Sequence, residues 1–355
     1  MRRAWTVLVA LMLVSAAADG GATDRLSRVE ALRGVLATTG ETAPADMDAA
    51  LAALFSLADD EIIENLGAGE PFASTAFIQE RLDAFMAAWG GAGFRVHRLG
   101  AGGGTGALTV GVFTLPEPAP RGSVRIYGRR RDGDVARLAA ITHDGTPELH
   151  RWAPARNGAP QLLATWLGAA SGSGGRTLEI ELWRRGGRDG VERRWSSAAL
   201  FPDGVQALGF AVKGDGVTIR YEAPYTGRKP GCQGQTELVD LYRPDVRREE
   251  LVLVRRGIVN AWHRELQAAV GRVLLALDTG DAATLGALVP NRALAARLPR
   301  TLTREPACDE AAPGRPTSAT VAVTEERSDR RVPWSLVWRR APNGWRLTAA
   351  MPMLQ

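Results

Sequence analysis

The 355-residue chain reads as an α+β protein, and three textures along it carry that prediction. Apolar residues recur at three- and four-residue steps over residues 24–92, as in helices. Short runs with period-two alternation, separated by Gly, Asp, Pro and Asn turns, fill residues 93–243. A long helical pattern followed by strands fills residues 246–355. The expected layout is a helical N-terminal segment, a β-rich middle domain and a C-terminal domain with helix packed on antiparallel sheet.

In the helical segment, Leu26, Val29, Leu32, Val35 and Leu36 set a first helix. Asp46 is placed to cap a second, which carries Leu51, Leu54, Phe55 and Leu57. Gly67, Gly69 and Pro71 break it. Ser74 or Thr75 caps a third, with Phe77, Ile78, Leu82, Phe85, Met86 and Trp89 on one broad face, and Gly90-Gly91 ends it. Phe77, Phe85 and Trp89 read as a packing face rather than an aromatic ligand box.

The middle domain shows runs such as Leu108–Leu115, Ser123–Tyr127, Leu162–Leu167, Leu178–Trp183 and Val217–Tyr221. Lys213-Gly214-Asp215-Gly216 is a hairpin signal. Trp152, Trp166, Trp183 and Trp195 fall at or beside strand positions and read as core and edge packing. A sandwich or a partial propeller-like sheet fits; roughly 150 residues is too few for the usual four blades. Farther on, the pattern predicts a long helix from Glu249 to about Leu277, and Asp278-Thr279-Gly280-Asp281 stops it and caps Ala282–Leu288. A further helical turn over Ala293–Leu298 and strands Ser318–Thr324, Trp334–Arg340 and Trp345–Ala350 complete the chain. Pro342-Asn343-Gly344 turns between the last two.

Residues 1–18 carry an address. Arg2 and Arg3 precede an apolar run from Ala4 to Val14, and Ala16-Ala17-Ala18 follows, the pattern of a secretory signal peptide. The run falls short of the roughly 20 residues that span a bilayer, so a cleaved signal is expected, with no stable membrane span afterwards. Tethering by an uncleaved signal is the alternative. The expected location is the periplasm or the cell exterior. The net charge of +5 does not point to nucleic acid, because the basic residues are scattered among Asp and Glu. All but Lys213 and Lys229 of the 44 basic residues are arginine, beside much Ala and Gly, as GC-rich coding produces. The densest run, Arg129-Arg130-Arg131, precedes an expected turn at Asp132-Gly133. Two cysteines, Cys232 and Cys308, form an even count, which in an oxidising compartment predicts a disulfide worth roughly 3–4.5 kcal/mol.

The helix ending in LLALDTGDAATLGALV and the hairpin WSLVWRRAPNGWRLTAAMP resemble the nuclear-transport-factor-like superfamily, over residues 246–355 only. The resemblance implies a cone-like domain in which a long helix lies across a curved antiparallel sheet. It also implies a possible homodimer through that sheet, since many members bind, dimerise or act as accessory modules. Enzymes of the family often use an Asp–His pair inside the cone. Here His263 and Asp278 stand fifteen residues apart, about four turns, and cannot touch within one straight helix. No active site is carried over.

Catalytic signatures are few. Ser171 and Ser173 lie in Ala-Ser-Gly-Ser-Gly-Gly, which misses the nucleophile-elbow pattern. The glycine-rich stretch 100–106 precedes a strand, without the helix and Gly-Lys-Ser/Thr a phosphate cradle needs. Neither a metal nor any other cofactor is expected. His143 and His150 would approach each other only if Gly145-Thr146-Pro147 made a hairpin, and turn-stabilising roles are favoured. The densest polar stretch is Tyr221–Tyr242. Its candidate ligand-binding residues are Tyr221, Glu222, Tyr225, Lys229, Gln235, Glu237 and Asp240, in a loop that a Cys232–Cys308 bridge would pin. Together these features predict an exported, non-enzymatic binding or accessory protein of the cell envelope, with an unidentified envelope or extracellular ligand. The alternative is an extracytoplasmic hydrolase in which carboxylates such as Glu222 and Glu237 work as a pair.

Overall fold

A computed structural model describes residues 22–38, 44–89, 93–100, 106–114, 121–172, 174–186, 190–202, 204–245, 247–327 and 330–353. The signal-like residues 1–18 lie outside these. The fold is α+β, with helices and extensive antiparallel sheet. The described residues group into two compact units. One takes those up to 169, with 177–205 and 244–251; the other takes 170–176, 206–243 and those from 252 onward.

In the first unit, helices α1 (Ala22–Thr38), α2 (Pro44–Ala68) and α3 (Thr75–Trp89) cover one face of a four-stranded sheet. Its strands run in the order β1 (Gly93–Leu99), β2 (Leu108–Thr114), β3 (Arg121–Arg129) and β4 (Val135–Asp144). Asp46 falls inside the first turn of α2 rather than ahead of it. Ser74 caps α3, its Oγ accepting the Phe77 N–H at 3.2 Å. Val29, Leu54, Ile62, Ile78, Leu82 and Phe85 meet Phe94, Phe113 and Tyr127 of the sheet. The buried carboxylate of Asp59 joins the two layers, accepting from Tyr127 at 2.7 Å and from Arg125 and Arg137. The opposite sheet face carries Leu108, Val110, Val124 and Ile126, and packs on Leu162, Ala164 and Trp166 of β6 (Gln161–Ala170). Two antiparallel sheets therefore stack here, the second holding β5 (Thr146–Arg151), β6, β7 (Arg176–Arg185) and, on β7, β8 (Val191–Ser196).

Gly145 is not a hairpin tip. It turns the chain from β4, which pairs with β3, into β5, which pairs with β6. Its φ of 109° and the backbone of Leu167, 2.7 Å from where a Cβ would stand, restrict the corner to glycine. His143 and His150 consequently part. His143 stacks edge-on against Trp166, and His150 meets the Thr165 hydroxyl at 3.0 Å. Trp152, Trp166 and Trp195 are buried, as packing residues.

The second unit holds β9 (Val205–Lys213), β10 (Gly216–Glu222), β11 (Glu237–Asp245) and β12 (Glu250–Val259), adjacent in that order. Lys213 pairs with Gly216 across the expected two-residue hairpin. The predicted helix start at Glu249 is wrong: Glu250–Val259 is a strand, and α4 begins only at Ala261. Val252, Val254, Ile258 and Val259 are β-branched and favour a strand, and Asn260 at φ 52° breaks the strand from the helix.

Helix α4 (Ala261–Thr279) lays Trp262, Leu266, Val270, Val273 and Leu277 on a sheet of β13 (Leu302–Arg304), β15 (Ser318–Glu326), β16 (Arg331–Ala341) and β17 (Gly344–Pro352). Val321, Val323, Leu336, Trp338, Trp345 and Leu347 answer from the sheet. The short β14 (Glu310–Ala311) pairs with β15. Gly280 ends α4 at φ 72°, and Asp281 caps α5 (Ala282–Leu288) by accepting the N–H groups of Ala283 and Thr284. Asn291 caps α6 (Arg292–Arg297) in the same way. Among the described residues no helix is long and apolar enough to cross a membrane.

Candidate functional site

The segment between β10 and β11 is the organising loop of the second unit. Its base closes where Ala223 N–H donates to Thr236 O at 2.9 Å, and turns form at Tyr225–Arg228 and Lys229–Cys232. Thr236 then anchors it to the start of α4: its hydroxyl donates to Asn260 O at 2.8 Å and accepts the Arg264 N–H at 3.0 Å. Asn260 has no side-chain cap of its own, so Thr236 supplies the missing acceptor. Gly227 at φ 89° passes so close to α4 that a Cβ would stand 2.3 Å from Gln267 Oε1. The expected disulfide forms between Cys232 and Cys308, a separation of 76 residues.

That bridge brings together side chains far apart in sequence. Asp309 follows Cys308, and its carboxylate, 1% exposed, gathers three donors. Lys229 Nζ donates to Oδ1 at 2.6 Å and also to Ala307 O at 2.6 Å. His263 Nε2 and Gln267 Nε2, one turn apart on α4, meet Oδ2 at 2.8 Å and 2.6 Å. With Nε2 donating to the carboxylate, His263 Nδ1 faces the Tyr225 hydroxyl at 2.7 Å. The same hydroxyl lies 3.1 Å from Gln235 Oε1 and accepts the Thr236 N–H at 3.3 Å. Gln235 Oε1 also accepts the Lys229 N–H at 3.0 Å. Arg304 closes the cluster by donating to the Gln267 carbonyl at 2.9 Å. Burial opposes ionisation of Asp309, but the bonds from His263 and Lys229 outweigh it and hold the carboxyl below its ordinary range. Burial pushes the Tyr225 phenol up.

The seven sequence candidates therefore divide. Tyr225, Lys229 and Gln235 belong to the Asp309 cluster. Tyr221 and Asp240 form another, in which Arg256 holds the fully buried Asp240 through two 2.8 Å bonds and the hydroxyls of Tyr221 and Tyr242 donate to Oδ2 at 2.9 and 3.2 Å. Asp240 is held low because Arg256 and Tyr221 outweigh the effect of burial; Tyr221 is pushed up to about 12 by burial and by Asp240. Glu222 and Glu237 stand opposite each other in the β10–β11 register, but each has its own cation, Arg228 and Arg220 respectively.

His263 does meet an aspartate, and it is Asp309 rather than Asp278, which sits exposed near the end of α4. Asp309, Gln267 and Arg304 were invisible as a set in the sequence. The signal that could have found them was the neighbour of Cys308: a bridge to Cys232 carries residue 309 to the loop holding Lys229. Among the described residues no group of His, Cys, Asp and Glu has the arrangement to hold a metal. No protein-family model matches this chain, and no curated protein is significantly similar to it.

Proposed function

We propose that this chain is an exported, non-enzymatic binding or accessory protein of the cell envelope, working in the periplasm or outside the cell. One observation carries the proposal: every carboxylate of the 221–242 segment is matched by a cation of its own. Glu222 has Arg228, Glu237 has Arg220 and Asp240 has Arg256. A hydrolytic pair needs one carboxyl kept protonated by a raised pKa. Asp240 is shifted the opposite way, as is Asp309 nearby. Glu222, Glu237 and Asp240 stand on β10 and β11, the strands that frame the 223–236 loop, and paired groups there hold its ends fixed; a rigid polar loop suits recognition. Export is supported by the basic-apolar-small pattern of residues 1–18 and by the disulfide, a bond that persists in oxidising compartments. Assignment of residues 246–355 to the nuclear-transport-factor-like superfamily is supported by α4 lying across the β15–β17 sheet.

The test has two arms. Cells producing the full chain with a C-terminal tag are fractionated, and the purified protein is co-sedimented with cell-wall material while soluble fragments are assayed. Recovery outside the cytoplasm, with co-sedimentation and without fragment release, is expected. Fragment release abolished by Glu222→Gln or Glu237→Gln would overturn the proposal in favour of a hydrolase.

The resemblance places a homodimer at the curved sheet, but the exposed surface that favours one is β12, the edge strand beside β11 rather than a strand of the β13–β17 sheet. Leu253, Val254, Ile258 and Val259 are exposed along that strand. Two copies pairing antiparallel about Val252 and Leu253 would set Glu250 against Arg255 of the second copy, complementary in charge. Sedimentation as a monomer at high concentration would exclude it.

A further inference from the structure

The first unit holds an open cleft of about 210 Å3, remote in sequence from the loop described above. One wall is the helix-facing side of β1–β3. Arg98 stands opposite Thr109 in the β1–β2 register, and Thr109 stands opposite Tyr127 in β2–β3. Arg129 follows Tyr127 by two residues, which puts both side chains on the same face of the strand. The other wall comes from the end of α2 and the turn after it, with Leu66, Glu70 and Ala73. Ala107 and Val135 complete the lining.

Three charged side chains line this cleft, Arg98, Arg129 and Glu70. The unit's buried carboxylates are paired: Asp59 with Arg125 and Arg137, Glu61 with Arg25 and Arg81, and Glu181 with Arg193. Arg98 and Glu70 have no partner among the described residues, and Arg129 donates only to the Gly133 carbonyl, at 2.9 Å. Two guanidinium groups and one carboxylate leave the cleft one positive charge in excess. Its occupant therefore carries an anionic group that two forked donors can grip, and planar guanidinium suits a carboxylate. Glu70 on the facing wall opposes a bare dianion and attracts an ammonium. The apolar lining offers nothing to inorganic phosphate. Size gives the remaining constraint: a cavity of about 150 Å3 accommodates benzene, so this cleft takes a ligand only a few atoms larger.

We propose that the cleft binds a small free α-amino acid. Its carboxylate lies between Arg98 and Arg129, its ammonium is turned to Glu70, and an aliphatic side chain rests against Leu66, Ala73 and Val135. Thr109 supplies a hydroxyl beside the carboxylate. The site is independent of the envelope-binding role, since it shares no residue with the 221–242 segment.

Calorimetric titration of the full chain with leucine, N-acetyl-leucine, leucinamide and inorganic phosphate tests this. Leucine is expected to bind with a Kd on the order of 0.1–1 mM, and leucinamide, lacking the carboxylate, at least about tenfold more weakly. Arg98→Ala should cost about tenfold in leucine affinity while leaving the unfolding midpoint unchanged, because Arg98 supports no described contact. Glu70→Gln should abolish the preference for leucine over N-acetyl-leucine. Absence of leucine binding at about 10 mM, phosphate binding as tight as leucine, or undiminished affinity in Arg98→Ala would each overturn the proposal.

Discussion

Asp309→Asn keeps the shape of a buried side chain and removes its charge. Lys229, 5% exposed, would then keep one full acceptor, the Ala307 carbonyl, and His263 and Gln267 would lose an anionic acceptor. Removing one member of a buried pair costs about 3–5 kcal/mol, because the other charge stays desolvated. At about 2–4 °C per kcal/mol for a unit of 150–250 residues, the midpoint should fall by roughly 6–20 °C. Lys229→Met should cost a similar amount, since Asp309 would keep His263 and Gln267 but lose its counter-charge. The double variant should be less destabilised than the sum, by about 1–3 kcal/mol of coupling. Urea unfolding followed by tryptophan fluorescence reads this directly, because Trp262 is buried with its ring 5.2 Å from His263. The pH dependence has a defined sign. The folded carboxyl titrates below its unfolded value, near 3.9, so its contribution is present above that pH and is lost as pH falls through the folded value. The gap between wild type and Asp309→Asn should therefore narrow in acid. Strict additivity of the two single variants within about 0.5 kcal/mol would refute the cluster as an energetic unit.

Three further outcomes are expected. Cys232→Ser should lower stability by about 4.5 kcal/mol, the chain-entropy value for a loop closed over 76 residues, and mass spectrometry of non-reduced digests should show the 232–308 cross-link in the parent protein. Tyr221→Phe should cost about 1 kcal/mol through its lost bond to Asp240. In the parent, the Tyr221 phenol contributes stability fully present below its unfolded pKa near 10 and lost as pH rises toward about 12, and ultraviolet titration at the phenolate band follows it. Gly227→Ala forces a side chain into positive φ and against Gln267, at a cost of about 1–3 kcal/mol or more, measured by thermal unfolding; an unchanged midpoint would mean the loop does not pass α4 at this distance.

How much of this was legible in the sequence depended on the range of each interaction. Some helix ends were legible because capping is local: Ser74, Gly280 and Asp281 each act within four residues and do what their positions suggest, whereas Asp46 lies inside its helix. The closing hairpin was legible for the same reason, with Ala341 paired to Gly344. Glu250–Val259 was misjudged because apolar residues at Leu253 and Ile258 also fit the extension of a helix register; Asn260 in the left-handed region decides otherwise, and nothing local announces it. Whether Gly145-Thr146-Pro147 makes a hairpin stays open in the sequence because strand partners lie beyond the turn itself. Within the site, Tyr225, Lys229 and Gln235 drew notice as a polar run, whereas Asp309 and Gln267 are ordinary residues until the bridge and α4 bring them there.

Lys229 is the point where composition and structure meet. The chain uses arginine for all but two of its 44 cations, and Arg220, Arg228 and Arg256 each reach their carboxylates with the guanidinium itself still partly exposed. At Asp309 the enclosure is nearly complete, and the cation must reach a carboxylate oxygen and a backbone carbonyl at 2.6 Å each. A compact ammonium with three rotatable donors meets both; a planar five-donor fork does not fit the same volume and leaves N–H groups without acceptors. Lys229→Arg should therefore destabilise despite preserving charge, by about 1–3 kcal/mol from overpacking and more where a buried donor is left unpaired. Measured beside Lys229→Met, it separates size from charge. If Lys229→Arg unfolds at the wild-type midpoint, the enclosure around Asp309 is looser than the 5% exposure of Lys229 indicates, and shape plays no part in the retention of lysine there.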